Sequence, residues 1–122
     1  MLGEVRLRCL IVDDNPSVLA AARGLLEREG ITIAGIAANV ADALRCAEEL
    51  QPDVVLLDID LGGESGFELA PQLAPAAVVL ISTHDERDYA DLIEASPAAG
   101  FLAKSELSAS AICAILSEPP ET

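Results

Sequence analysis

The chain has 122 residues, 52% of them hydrophobic, with a mean hydropathy of +0.41, which predicts one domain around one substantial core and argues against disorder. Seven Lys and Arg against 21 Asp and Glu give a formal charge of −14 at pH 7, a surface that repels phosphate backbones and anionic lipid heads, so no direct nucleic-acid binding is expected. The apolar stretch Ala76 to Ile81 falls far short of the ~20 residues a membrane span needs, and the start Met1-Leu2-Gly3-Glu4 has neither secretory nor transit character, so the expected compartment is the cytoplasm.

In chain order, Leu7 to Val12 is a short, nearly continuous apolar run, the pattern of a strand buried on both faces. Asn15 can cap a following helix with Pro16 at its first position. Val18, Leu19, Ala22, Leu25 and Leu26 then form one apolar stripe, and Gly30 supplies the stop. Thr32 to Ala37 predicts a second strand and Val40, Leu44 and Ala47 a second helix. Val54 to Leu57 predicts a third strand, after which Ser65 and Glu68 match a capping box for a third helix. Ala77 to Ser82 is the fourth strand, with Tyr89, Leu92 and Ile93 on the helix after it. Pro97 and Gly100 punctuate the approach to the fifth strand, Gly100 to Ala103, and Leu107, Ala111, Ile115 and Leu116 stripe the last helix. Five βα units of this length imply an α/β, doubly wound parallel sheet with helices on both faces. The domain is expected over residues 1–116, with a polar, disordered tail from Ser117 to Thr122. Cys9, Cys46 and Cys113 are widely spaced and odd in number, which predicts buried reduced thiols with packing roles.

In such a sheet ligands bind at the carboxyl ends of the strands. Strand one ends in Asp13-Asp14, strand three in Asp58, strand four in Ser82-Thr83 and strand five in Lys104. Each has an ordinary use alone: Asp13, Asp14 and Asn15 as helix caps, Asp58 as a turn former before Gly62 and Gly63, Ser82 as a strand-end hydroxyl, Lys104 as a solvated cation. Together they place three carboxylates, a hydroxyl and an amine on one edge. Phosphoryl transfer onto a carboxylate wants that set, with Mg²⁺ to relieve the repulsion among the acids and a lysine opposite.

The stretches CLIVDDNPSVL, VVLLDIDLGGESGFEL, VVLISTHDE and GFLAKSEL make the sequence resemble a response-regulator receiver domain of two-component signalling over nearly its whole length, here apparently stand-alone. The resemblance implies a flavodoxin-like (βα)5 sheet in order 2-1-3-4-5. It makes Asp58 the phosphoacceptor. Mg²⁺ would be held by Asp14, Asp58 and the backbone carbonyl of Asp60, with Asp13 contacting it through water, while Ser82 and Lys104 would bind the phosphoryl group. Phe101 falls at the family's aromatic switch position, although a plain core aromatic is an equal reading. His84 and Asp60 fall at positions that modulate access of the hydrolytic water; for His84 an exposed loop imidazole is the preferred reading. The implied partners are a histidine kinase or histidine phosphotransfer protein and a downstream protein target, controlled through the fourth helix, fifth strand and fifth helix. The implied state is a monomer or a phosphorylation-dependent dimer, and the domain would catalyse only its own phosphorylation and dephosphorylation.

Two departures from the family pattern stand out. Gly62-Gly63 replaces a common proline, which predicts a looser loop. Ser105 replaces a common proline after the lysine, which predicts a trans Lys104–Ser105 bond and leaves Ser105 available to cap the last helix. A haloacid-dehalogenase-like phosphatase would share Asp58, Asp60, Ser82 and Lys104, but it expects its acidic metal pair downstream of the lysine, whereas Asp13-Asp14 lies upstream. A flavodoxin-like cofactor module would need a phosphate loop where Asp13-Asp14-Asn15-Pro16 would repel phosphate.

Overall fold

A computed structural model of the chain describes residues 7–83 and 86–116. His84 and the tail Ser117 to Thr122, both given a part by the sequence, lie outside the described residues. Five strands, β1 (Arg8–Val12), β2 (Thr32–Ala37), β3 (Val54–Asp58), β4 (Ala77–Ser82) and β5 (Gly100–Ala103), pair in parallel in the order β2-β1-β3-β4-β5. The helices are α1 (Pro16–Arg28), α2 (Val40–Leu50), α3 (Gly66–Leu69), α4 (Ala90–Ala95) and α5 (Ala109–Leu116).

Strand alternation divides the core in two. Leu10, Val12, Val55, Leu57, Val78 and Leu80 point to one face, where residues of α2 and α3 cover them. Cys9, Ile11, Val54, Leu56, Val79 and Ile81 point to the other, under Leu19, Ala22 and Leu26 of α1 and Ile112 of α5. All residues of β3 are buried, so the central strand carries the sheet with no solvent-facing side. No helix among the described residues is long and apolar enough to cross a membrane.

Several expectations need correction. Ser65 accepts from Phe67 N–H (3.2 Å) as the cap of α3, but α3 runs only four residues. Pro71 removes a helical donor, and the chain continues as a 3₁₀ turn over Ala70–Leu73. Tyr89 belongs to a 3₁₀ turn, Glu86–Tyr89, so the stripe expected through 89, 92 and 93 is broken. Tyr89 and Ile93 reach the core while Leu92 stays 53% exposed. Leu107, Ile115 and Leu116 pack against the core as expected, but the fully buried residue of α5 is Ile112 rather than Ala111, and Leu107 lies in the loop before the helix, which begins at Ala109. Ser105 does not cap that helix: Ser108 Oγ accepts from Ala111 N–H (3.0 Å), and Glu29 reaches across from the end of α1 to accept from Ala109 N–H (2.6 Å). Cys9 is buried, and burial pushes its thiol up to about 12, but Cys46 is only half-buried and Cys113 is exposed, so the packing role does not extend to all three.

Candidate functional site

Sheet register assembles the site. Val12 pairs with Leu57, Asp58 with Ile81, and Ser82 with Ala103, so the residues at and just beyond these pairs, Asp13, Asp58, Ser82 and Lys104, arrive side by side at the carboxyl edge. Asp13, Asp58 and Ser82 are the polar residues that the described core buries, at 0, 5 and 3% exposure, whereas Asp14 is exposed.

Local hydrogen bonds fix the two buried acids. Asn15, not the aspartates, caps α1, accepting from Ser17 N–H (2.9 Å) and Val18 N–H (3.4 Å). Asp13 N–H donates to Ala37 O (3.0 Å), and Asp13 Oδ1 accepts from Asn15 N–H (2.9 Å). Its other oxygen, Oδ2, is buried 2.6 Å from Lys104 Nζ, an ion-pair contact without hydrogen-bond alignment. Asp58 Oδ1 accepts from Asp60 N–H (3.1 Å) and Oδ2 from Lys104 Nζ (3.2 Å).

The charges are unbalanced. Burial raises the Asp58 carboxyl to about 6, with the neighbouring Asp13 charge adding to the rise and the Asp60 N–H and Lys104 opposing it. Burial alone would lower the Lys104 ammonium, but the two carboxylates outweigh it and its pKa is raised. Oxygens of Asp13, Asp14 and Asp58 lie within 4.8 Å of one another, and the ill-aligned buried Oδ2 of Asp13 is an oxygen that a cation could satisfy. An all-oxygen, acid-rich set with one open side fits Mg²⁺ or Ca²⁺.

The loop after β3 lies beside this set. Leu61 N–H donates to Glu64 O (2.9 Å) and Glu64 N–H to Leu61 O (3.4 Å), with Asp60 and Ser65 bridging next to them. Gly62 and Gly63, at φ 61 and 103, are the two central residues of this hairpin turn and adopt the left-handed backbone it requires. A Cβ on Gly62 would stand 2.8 Å from Asp14 Oδ2. The sequence reading missed Gly66, where a Cβ would overlap Asp58 O and stand 2.8 Å from Ile59 Cα. Only a glycine there lets α3 begin against the backbone of Asp58.

The remaining candidates divide. Ser82 sits at the end of β4, one residue beyond the register partner of Asp58. The Asp60 carboxyl is not part of the acidic cluster; its residue is exposed and joins the site through its N–H. Phe101 is half-buried against the α2–α3 face of the core, which Tyr89 and Ile93 also cover, and no closer role follows from that packing alone. The Lys104–Ser105 bond is trans, as expected. A cavity of about 570 Å³ lies at the opposite end of the sheet, between Glu48, Gln51, Asp53 and Leu73, and contains none of these residues.

Comparison with known proteins agrees with this arrangement. The transcriptional regulatory protein MctR of Rhizobium johnstonii is 32% identical over 109 residues, covering 85% of the chain and 51% of MctR, so the chain spans about half the length of this relative. The signal receiver domain of NarL from Mycobacterium tuberculosis superposes with a TM-score of 0.81 at 29% identity, over 93% of this chain and 96% of that one. A response regulator from Burkholderia pseudomallei, solved with a phosphorylated aspartic acid, a calcium ion and citrate, matches with a TM-score of 0.76 at 28% identity, over 90% of this chain and 66% of that one. Residues 9–116 match the family model of the response regulator receiver domain, and the chain belongs to that family of two-component signalling.

Proposed function

We propose that this receiver domain accepts a phosphoryl group on Asp58 from a phosphohistidine of a kinase or phosphotransfer protein. The observation that carries the reading is the buried Asp58 carboxylate, 3.2 Å from Lys104 Nζ and within 4.8 Å of the Asp13 and Asp14 oxygens. An Asp58 oxygen attacks phosphorus, the new O–P bond forms as the P–N bond to the imidazole breaks, and the donor imidazole takes a proton from solvent. Asp14, Asp58 and the backbone carbonyl of Asp60 would hold Mg²⁺, with Asp13 reaching it through water. When bound, the ion supplies charge neutralisation for the phosphoryl oxygens. Lys104 would shift from the two carboxylates toward the incoming oxygens, and Ser82 would donate its hydroxyl to one of them.

Engagement of Ser82 would draw the Phe101 ring further inward and bias α4, β5 and α5 toward a partner-binding state. Asp60 and His84 would tune access of the hydrolytic water. The downstream target is a protein, bound by monomer or phosphorylation-dependent dimer in the cytoplasm. The relative MctR is a transcriptional regulator about twice as long, so in a protein of that kind the receiver would control a DNA-contacting partner segment, while its own charge of −14 keeps it off DNA.

Incubation with Mg²⁺ and a small acyl phosphate tests the reading. A stoichiometric, base-labile phosphoprotein that Asp58→Ala abolishes is expected. Rapid multiple turnover with no accumulated adduct would instead indicate a phosphatase.

A further inference from the structure

We propose that Glu64 is a positioning residue for the phosphoryl site, acting through the Leu61–Glu64 hairpin; this rests on the reading of Asp58 as the acceptor. The hairpin and the residue before it approach two of the three clustered acids. Asp60 N–H, one residue before it, holds Asp58 Oδ1, and Gly62 lies so close to Asp14 that a Cβ there would sit 2.8 Å from Oδ2. The turn itself supplies little stiffness, since its two central residues are glycines.

What fixes it lies outside. Glu64 Oε1 accepts from Val40 N–H (3.1 Å) at the first position of α2, 24 residues earlier. Asn39, the N-cap, already accepts from Asp42 N–H (2.8 Å), so Glu64 serves a different donor that the helix leaves unpaired. Its negative charge also meets the positive end of the α2 dipole. Among the described side-chain hydrogen bonds, this one alone ties the hairpin to another helix. Glu64 therefore stands in for a rigid residue in the loop: it anchors the turn from the far side, and the anchor holds the Asp60 backbone against Asp58.

The alternative role, plain capping of α2, is separable because Asn39 caps the same helix without touching the hairpin. The full chain and its Glu64→Ala, Glu64→Gln and Asn39→Ala variants are titrated with Mg²⁺ by amide NMR, and hydrogen exchange of Asp60 N–H is followed without metal. Partners that orient metal ligands are typically worth 10- to 100-fold in affinity, and this one acts a step further out, so Glu64→Ala should weaken Mg²⁺ binding about 3- to 10-fold and speed Asp60 exchange. Glu64→Gln, which keeps the accepting oxygen, should stay within about twofold of the parent. Asn39→Ala should lower thermal stability and leave both readouts unchanged. The proposal is overturned if Glu64→Ala matches the parent, if Glu64→Gln is as weak as Glu64→Ala, or if Asn39→Ala reproduces both changes. Neither readout needs a phosphodonor, so failure of the parent to take up phosphate would count against the acceptor reading alone.

Discussion

Lys104 Nζ stands 2.6 Å from Asp13 Oδ2 and 3.2 Å from Asp58 Oδ2, so one ammonium serves two buried acids and lies nearer the one that is not the proposed acceptor. A cation that takes over Asp13 and Asp14 would release the lysine for the phosphoryl oxygens. On the proposed reading, metal binding and lysine position would be linked through Asp13.

Replacing Asp13 by Asn keeps the acceptor for Asn15 N–H and removes one charge from the cluster. Groups that support a metal site from beside its ligands are typically worth 10- to 100-fold in affinity, so Mg²⁺ affinity should fall about 10- to 100-fold. Calorimetric titration measures it.

The raised Asp58 carboxyl makes stability depend on pH in a definite direction. Its pKa is about 6 in the folded chain against an ordinary 3.8, so the folded state holds the proton more tightly. That contribution is fully present below about pH 4 and is lost as pH rises through about 6. In chelator, Asp58→Asn should therefore be more stable than the parent by about 1–3 kcal/mol near neutrality, with the difference closing below pH 4. Urea unfolding of both chains at the two pH values checks the sign.

Gly66→Ala should be among the most damaging small substitutions. Its methyl would overlap Asp58 O, forcing β3 and α3 apart at a cost of about 2–4 kcal/mol and moving the Asp58 backbone. Loss of both thermal stability and phosphoryl uptake is expected.

Ile112→Ala removes the fully buried side chain of α5 and should cost about 2–5 kcal/mol, whereas Ala111→Gly should cost only about 1 kcal/mol of helix propensity. Chemical denaturation of the two variants shows whether position 112 or position 111 carries the packing of this helix.

The contrast between these positions shows what the sequence makes legible. The strands could be read almost to the residue because β1, β3 and β4 are buried on both faces and carry uninterrupted apolar runs. Once they are parallel, their last residues share an edge, which is why Asp13, Asp58, Ser82 and Lys104 could be gathered before any coordinates. The short helices resisted. A 3₁₀ turn before α4 leaves Leu92 exposed, and in α5 Ile112 is buried beside the packed Ile115 and Leu116, details that no count of apolar spacings detects. Ser108 and Glu29 cap α5 in place of Ser105 because the helix start is set by tertiary docking. Gly66 was invisible for a different reason: its backbone is not left-handed, and the need for glycine arises only from the approach of Asp58, eight residues earlier in the chain.

The most direct measurement is to locate the phosphoryl group. After brief exposure to Mg²⁺ and a small acyl phosphate, the adduct is trapped by reduction and the peptide mapped by mass spectrometry. The account requires the reduced residue to be position 58, with no adduct when Mg²⁺ is chelated. An adduct on another residue, or equal labelling of Asp58→Ala, would contradict it.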